Sequence, residues 1–505
     1  MKSKKLATLL FTIILVLGLL PMSVFAAQRT VAADSTASIT VGNAVENDVL
    51  AAYKVVDITY VAETNTLTYA WNSNFADYFA GTTSYNATAY TVEQFDALND
   101  DSDELKTLLA GLPNYISANN IVHVDTQTVA VDGTATFATF ADLAMGEYFI
   151  RPTSTTSVYQ LMLQKVEPTV SAGAYVIDDV TFSAKHKEVS ITKTADKTSV
   201  TKNEKVTYTI TVDIPTYASQ AVDKSFYVSD LLPDGLTIDT DSIKVQIDGT
   251  DVNTAAYTLD KTANTTTEPY YTFKLSVDTD KYTDNWSANG GKRLVITYTA
   301  TLNNNDTTAV NVEETNTVTF DYSFYPYVEN SHEQKTATVD VTTFAITIDK
   351  YVNGDEAAKL ANAKFDLYRT ATQAEAEVGA GSAVTIPHTT IEGILLESGL
   401  TTDANGAATF AKYEANGTKY DYYLVETQAP SGYNILDNAV KVNFTDTDVE
   451  ATAGVYTVKV PNSSGIQLPI TGGTGTVIFT IIGIALMVGA VVLFVVSRKK
   501  AKESK

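Results

Sequence analysis

The chain of 505 residues contains no cysteine. It can form no disulfide, no thiolate metal site and no cysteine nucleophile. Histidine is scarce as well. His123, His186, His332 and His388 are scattered, without the close spacing of a metal site. Positive charge is short: 35 basic residues face 59 acidic ones, for a formal net charge of −24. That balance excludes nucleic acid as a partner, because phosphate binding needs a basic footprint. No cofactor and no resident metal are expected. The acidic pairs Asp239/Asp241 and Asp248/Asp251 lie in polar, turn-like stretches and would bind Ca²⁺ weakly at most.

Long apolar runs are confined to the two ends. The opening "MKSKKLATLLFTIILVLGLLPMSVFA" has Lys2, Lys4 and Lys5, then an apolar core, then small residues at Ala26 and Ala27. This reads as a secretory signal peptide, residues 1–26, cut after Ala26. At the other end Val477 to Val496 is an uncharged run of 20 residues, enough to cross about 30 Å of hydrocarbon as a transmembrane helix. Arg498, Lys499, Lys500 and Lys502 follow at once. Positive residues stay on the cytoplasmic side, so the chain before Val477 faces outward. Without its two basic ends the exported part is more acidic still.

Leu468-Pro469-Ile470-Thr471-Gly472 stands just before the apolar run. Pro469 fixes its own φ and keeps Leu468 extended, and Gly472, Gly473 and Gly475 leave the segment loose. The pentapeptide, the apolar span and the basic tail (residues 468–505) together resemble the cell-wall sorting signal of Gram-positive surface proteins. That resemblance implies that a sortase cleaves between Thr471 and Gly472, holds Thr471 as a thioester and passes it to an amine.

Between the ends the sequence reads as all-β. "KVTYTITVDI" (205–214) and "RLVITYTATL" (293–302) alternate apolar and polar residues with period two, and Asn, Asp and Gly clusters punctuate the strands. One helix is expected over "DSDELKTLLAGL" (101–112), capped by Ser102, with Leu105, Leu108 and Leu109 on one face and Gly111-Leu112-Pro113 as its stop. Boundaries are expected near 185 and 342, where one strand signal ends and "VSITKT" or "AITIDK" begins. The fold class is three tandem immunoglobulin-like β-sandwiches with short helical insertions: 27–186, 187–342 and 343–467.

In the last of these, "AITIDKYVNGDEAAKLANAKFDLYRT", "YLVETQAPSGY" and "YTVKVPN" resemble the first strand, the E box and the last strand of collagen-adhesin B-type domains. In that family a first-strand lysine and a last-strand asparagine join in an isopeptide bond, promoted by the E-box acid. The matching residues are Lys350, Asn462 and Glu426. An ammonium is not nucleophilic, but burial disfavours its charge and favours the neutral amine. Burial likewise favours a protonated carboxyl, and Glu426 in that form would donate to the Asn462 carbonyl and polarise it. The attack is intramolecular, so orientation supplies much of the rate. The covalent tie would serve where a disulfide cannot.

The middle domain, with "EVSITKTADKTSVTKNEKVTYTITV", "FYVSDLLPDGLTI" and "ETNTVTFDYSF", resembles the middle domain of three-domain backbone pilins. The correspondence makes Lys193 the crosslinking lysine, Asp230 the acid and Asn316 the acceptor. The first domain echoes the E box faintly in "GEYFIRPTSTTSVYQ", with Arg151 where the acid would stand, and its first strand "STASITVGNA" has no lysine. No crosslink is expected there.

As a whole the chain resembles a sortase-assembled major pilin, the shaft subunit of a covalent surface pilus on a Gram-positive cell. The resemblance implies a secreted, wall-anchored substrate rather than an enzyme, membrane-bound only as precursor. Its implied partners are a class C-type pilin sortase, a housekeeping sortase, identical subunits head to tail, minor pilins, peptidoglycan and a host surface ligand. The polymerising amine of the family follows a Tyr-Pro pair. In "DDVTFSAKHK" the lysine position is Lys185, but Ser183-Ala184 replaces Tyr-Pro, which leaves Lys187 as the alternative. A single-copy wall-anchored adhesin is the other reading. It needs no lysine at the joint.

Overall fold

A computed structural model describes residues 29–99, 102–155, 157–303, 312–370, 383–416, 420–445, 448, 454–464 and 474–502. The leader and the segment Leu468–Gly472 lie outside the described residues. The chain forms two compact units. One is built from Met1–Thr198, Asn203–Asn303 and Glu314–Val341, the other from Ser199–Lys202, Asn304–Glu313 and Thr342–Lys505. Strands dominate both, as the alternation implies.

In the first unit, residues up to Ser183 build a five-stranded, a four-stranded and a three-stranded sheet, with one core that includes Ile39, Leu50, Tyr78, Phe140, Phe149 and Ile150. The helix runs over Asp103–Ala118, six residues beyond its expected end. Ser102 caps it as expected, accepting from Leu105 N at 3.2 Å, and Leu105, Leu108 and Leu109 are buried. Pro113 does not stop it, because Tyr115 and Ile116 beyond the proline are buried too. Packing outweighs the lost helical hydrogen bond. Short helices over Ala76–Phe79, Val92–Asp96 and Asp284–Ser287 are helical insertions of the kind expected, at positions the sequence reading did not name. The second begins in a capping box of Thr91 and Gln94, a signal the sequence did carry.

The rest of the first unit packs two further sheets. Lys205–Asp213 and Arg293–Leu302 fall where the alternation puts strands, and they pair antiparallel with Tyr208 opposite Tyr298. Ile191–Ala195 adds to Lys205–Asp213 at the edge of that sheet. Phe226–Leu231 and Val312–Ser323 pair in the other.

The strand expected to end near residue 342 does not end there. His332–Val352 is one strand of 21 residues. Val341, Thr343 and Ala345 are all buried, so one face of the strand stays covered through the expected break and pairing has no reason to stop. In the second unit this strand pairs parallel with Val455–Asn462 and antiparallel with Ala407–Tyr413. A separate sheet holds Lys364–Thr370, Glu392–Thr401 and Tyr422–Gln428.

Thr474–Lys502 is a helix of 29 residues. Large apolar side chains from Ile481 to Val495 are exposed on it, a surface that suits lipid better than water. Among the described residues no helix is long and apolar enough to cross a membrane. The full uncharged run to Val496 is a property of the sequence.

Candidate functional sites

Lys350, Glu426 and Asn462 converge in the second unit, all three buried. Parallel pairing sets Lys350 opposite Val460 and Val352 opposite Asn462. The lysine side chain therefore has only to lean along the neighbouring strand. Its amine donates to Asn462 Oδ1 and, at 3.1 Å, to the Val460 carbonyl. Glu426 comes from Tyr422–Gln428 in the facing sheet, with Oε1 3.7 Å from the amine. Burial pulls the Lys350 amine down to about 8, against the opposing pull of the Glu426 charge.

One detail differs from expectation. Glu426 does not face the Asn462 carbonyl. Asn462 Nδ2 donates to both of its carboxylate oxygens, at 3.0 and 3.1 Å, and to the Asn434 carbonyl at 2.8 Å. The amine occupies Oδ1, so the acid is left with the amide nitrogen, the atom that would depart as ammonia. Leu436 N donates to Glu426 Oε2 at 2.9 Å and holds the carboxyl in place.

The middle-domain residues also converge, again fully enclosed. Lys193 stands on the edge strand Ile191–Ala195, Asp230 on Phe226–Leu231 and Asn316 on Val312–Ser323 of the opposite sheet. The amine donates to Asp230 Oδ2 and lies 5.6 Å from each ring of the stacked pair Tyr208 and Tyr298. Burial lowers the lysine's pKa and raises the aspartate's, each opposed by the charge of the other. Both shifts favour a neutral pair in which the carboxyl holds the proton. Asn316 Oδ1 is buried without a hydrogen-bond partner, and its Nδ2 donates at 2.7 Å to Tyr298 Oη. Sequence reasoning missed Tyr298, which looked like one more strand tyrosine.

Lys185 and Lys187 are both exposed, and neither makes an ion pair among the described residues. Lys185 follows the edge strand Val180–Ser183. Its backbone is fixed: its carbonyl accepts from Gln160 N at 2.9 Å. The preceding Ala184 is buried, with its nitrogen on the Gly42 carbonyl and its own carbonyl on Asn43 Nδ2 at 3.0 Å. Those bonds anchor the joint where the family has Tyr-Pro. Lys187 pairs with Val158, and its stem runs along Gly291, where an added methyl would lie 3.4 Å from Cε.

Residues 345–457 match the SpaA family, a prealbumin-like fold domain, and residues 460–503 match the LPXTG cell wall anchor motif. The fimbrial subunit type 1 of Actinomyces viscosus is 25% identical over 460 residues, covering 81% of this chain and 84% of its own length. The trypsin-resistant surface T6 protein of Streptococcus pyogenes serotype M6 is 25% identical over 388 residues, 63% of this chain and 70% of that protein. A solved structure of the T6 backbone pilin has the same fold, with TM-score 0.55 and 18% identity over 82% of this chain and 81% of that one. These similarities support a wall-anchored backbone pilin.

The N-terminal residues carry a different arrangement. Arg151 stands on Gly146–Ser154 and donates to Tyr53 Oη at 3.4 Å, with its guanidinium over the rings of Tyr53 and Tyr325. The buried lysines among the described residues are Lys193, Lys350 and Lys412. None lies in the N-terminal part.

One cluster in the first unit has the outline of a hydrolase triad. Ser225 Oγ lies 3.1 Å from His332 Nε2, and His332 Nδ1 meets Asp321. Asp223 faces the same Nε2 at 3.1 Å. Burial disfavours the imidazolium, but hydrogen bonds and charge from Asp223 and Asp321 outweigh it and push His332 up to about 9. A ring that is already protonated at neutral pH is no base for Ser225, and that hydroxyl is buried and bonded to Asp223 at 2.6 Å. The cluster is an ionic clamp. Among the described residues no group of three or more acids and histidines is arranged to hold a metal ion. Asp239 and Asp241 face Lys205 and Lys261 instead.

Proposed function

We propose that this pilin is joined head to tail through Thr471 and Lys185, and that each subunit is tied internally by Lys350–Asn462 and Lys193–Asn316 isopeptide bonds. The observation that carries the internal bonds is a buried amine set against a carboxyl, occurring twice: the Lys350 amine also touches the Asn462 carboxamide, and the Lys193 amine shares the Tyr298 hydroxyl with the Asn316 carboxamide. Burying an ammonium and a carboxylate as a permanent ion pair costs more than a well-packed apolar contact of the same size. Such a pair gains a purpose when the amine goes on to react.

At the Lys350 site the chemistry balances without a cofactor. The ammonium gives one proton to Glu426 and becomes a nucleophile. Its lone pair attacks Asn462 Cγ, forming the new C–N bond. Glu426 then protonates Nδ2, the Cγ–Nδ2 bond breaks and ammonia leaves. A second proton from the former amine ends on Glu426. Proximity of the reactants supplies much of the rate.

Lys185 is favoured over Lys187 by its surroundings. Its backbone is held on both sides while its side chain is free, whereas the Lys187 stem rests against Gly291. In this reading a class C-type pilin sortase makes the inter-subunit bond, and a housekeeping sortase transfers the last subunit to peptidoglycan. Head-to-tail repetition is a heterologous contact that does not close, so it yields a fibre in which minor pilins take part. Residues 27–186, 187–342 and 343–467 serve as its three modules.

Tandem mass spectrometry of fibres stripped from the cell tests the proposal. The expected branched peptides carry Thr471 on Lys185, Lys350 on Asn462 and Lys193 on Asn316. Thr471 on Lys187, or on no lysine, would refute the polymerisation site. Linear Lys350 and Lys193 peptides would refute the internal bonds.

A further inference from the structure

The two candidate crosslinks are not built alike. Glu426 touches the carboxamide nitrogen of Asn462 directly, through both oxygens. Asp230 is one methylene shorter, and its hydrogen bonds go to Lys193 and Tyr298. The Tyr298 hydroxyl stands between acid and amide. It donates to Asp230 Oδ1 at 2.8 Å, accepts from Asn316 Nδ2 at 2.7 Å and accepts from the Lys193 amine at 3.2 Å. The acid, the nucleophile and the leaving group therefore all meet at one phenolic oxygen.

We propose that Tyr298 is a catalytic residue of the Lys193–Asn316 crosslink, relaying a proton from Asp230 to the departing Asn316 nitrogen. This rests on the reading that the Lys193–Asn316 bond forms.

The step balances as a relay. Lys193 loses one proton to Asp230, and its lone pair attacks Asn316 Cγ. The Asp230 carboxyl then gives its proton to the Tyr298 oxygen as the Tyr298 hydrogen passes to Nδ2. The Cγ–Nδ2 bond breaks and ammonia leaves. The second proton of the former ammonium ends on Asp230. Tyrosine is neutral before and after, so no oxidant, base or cofactor is consumed. Burial keeps the phenol far from ionising, which suits a relay and excludes a phenolate base. The ring is also held in position. It stacks on Tyr208 at 5.3 Å and meets Phe273 edge-on at 5.2 Å.

The test follows the Lys193–Asn316 branched peptide over time during cell-free synthesis of the full chain. The Tyr298→Phe chain keeps the ring and its stacking. It is expected to fold, judged by emission of the buried Trp286, and to form the branched peptide about 100-fold more slowly, as loss of a proton-transfer group predicts. Adding Asp230→Glu to that variant lengthens the acid toward Asn316, as Glu426 reaches Asn462, and is expected to restore most of the rate. A purely structural tyrosine would not be rescued by a longer acid. An unchanged rate in Tyr298→Phe overturns the relay and leaves the crosslink standing. So does a slow rate that Asp230→Glu leaves unimproved. Absence of the branched peptide from the wild-type chain overturns the crosslink itself.

Discussion

Lys350 and Asn462 stand on adjacent strands that run parallel, two positions apart in register, with the amine of one donating to the carboxamide oxygen of the other. These strands lie near the two ends of the second unit's main segment. A bond between residues 112 positions apart closes nearly the whole module and restricts its unfolded chain as a disulfide would.

Breaking that bond should cost the second unit dearly. Lys350→Ala is expected to restore the mass of one ammonia and to lower the unfolding free energy by about 4 kcal/mol, the order expected for closing a loop of this size. Denaturant titration with intact-mass measurement checks both. Equal stability with the mass of an uncrosslinked chain in wild type would remove the bond from the account.

Crosslinking at this site should depend on pH through the amine. Lys350 is pulled down to about 8, so at pH 7 about a tenth of it is neutral and at pH 6 about a hundredth. Because the proton that leaves the amine stays on Glu426 and is then needed by the departing nitrogen, the rate of ammonia loss during cell-free synthesis should be level from pH 6 to 7 and fall as pH rises through about 8. A rate that climbs steadily from pH 6 to 9 would show that the amine loses its proton to solvent and that Glu426 is not the acid.

The sequence carried the strands and the reacting groups, but not how they meet. Period-two alternation placed Arg293–Leu302 to the residue, because a half-buried strand writes its two faces into the chain. Lys350, Glu426 and Asn462 were legible through the family pattern, since their roles depend on residue type at fixed strand positions. Tyr298 was not. Its role comes from a register that faces it to Tyr208 and from a sheet pairing that brings Asp230 and Asn316 opposite it, neither of which is local. The helix end at Ala118 was misjudged for a related reason. Gly111 and Pro113 look like a local stop, yet Gly111 is there because a Cβ would lie 2.4 Å from Tyr78 Oη.

Gly406 offers a test of backbone fit behind the crosslink. Its φ is +73°, and a Cβ there would lie 2.2 Å from the Lys350 carbonyl oxygen. Its own carbonyl accepts from Lys350 N at 2.8 Å. Gly406→Ala should therefore push on the strand that carries the nucleophile. The expected result is a loss of about 2 kcal/mol before crosslinking and slower ammonia loss, while Gly354→Ala, at an open turn, should leave ammonia loss unchanged. Equal crosslinking rates in the two variants would contradict this fit.

The His332 clamp should give the first unit an alkaline limit. The folded pKa of about 9 lies above the ordinary 6.5, so the folded state binds the proton more tightly than the unfolded chain. The resulting stabilisation is complete below about pH 6.5 and is lost as pH rises through 9, on the order of 3 kcal/mol in all. Asp223 and Asp321 are held below the usual carboxylate range, where hydrogen bonds from His332 and its neighbours outweigh their burial. Their contribution has the opposite sense: it is present above the ordinary carboxylate range and fades on acidification. The clamp is strongest between about pH 5 and 6.5. Tyr227 stacks on the imidazole with its phenol pushed up by burial, the Lys274 amine lies over Tyr227, and Gln334 donates to Asp321. Thermal unfolding of wild type should fall from pH 6 to pH 9, and His332→Gln, less stable at pH 6, should lose most of that slope. Parallel slopes in the two proteins would assign the alkaline loss to some other group.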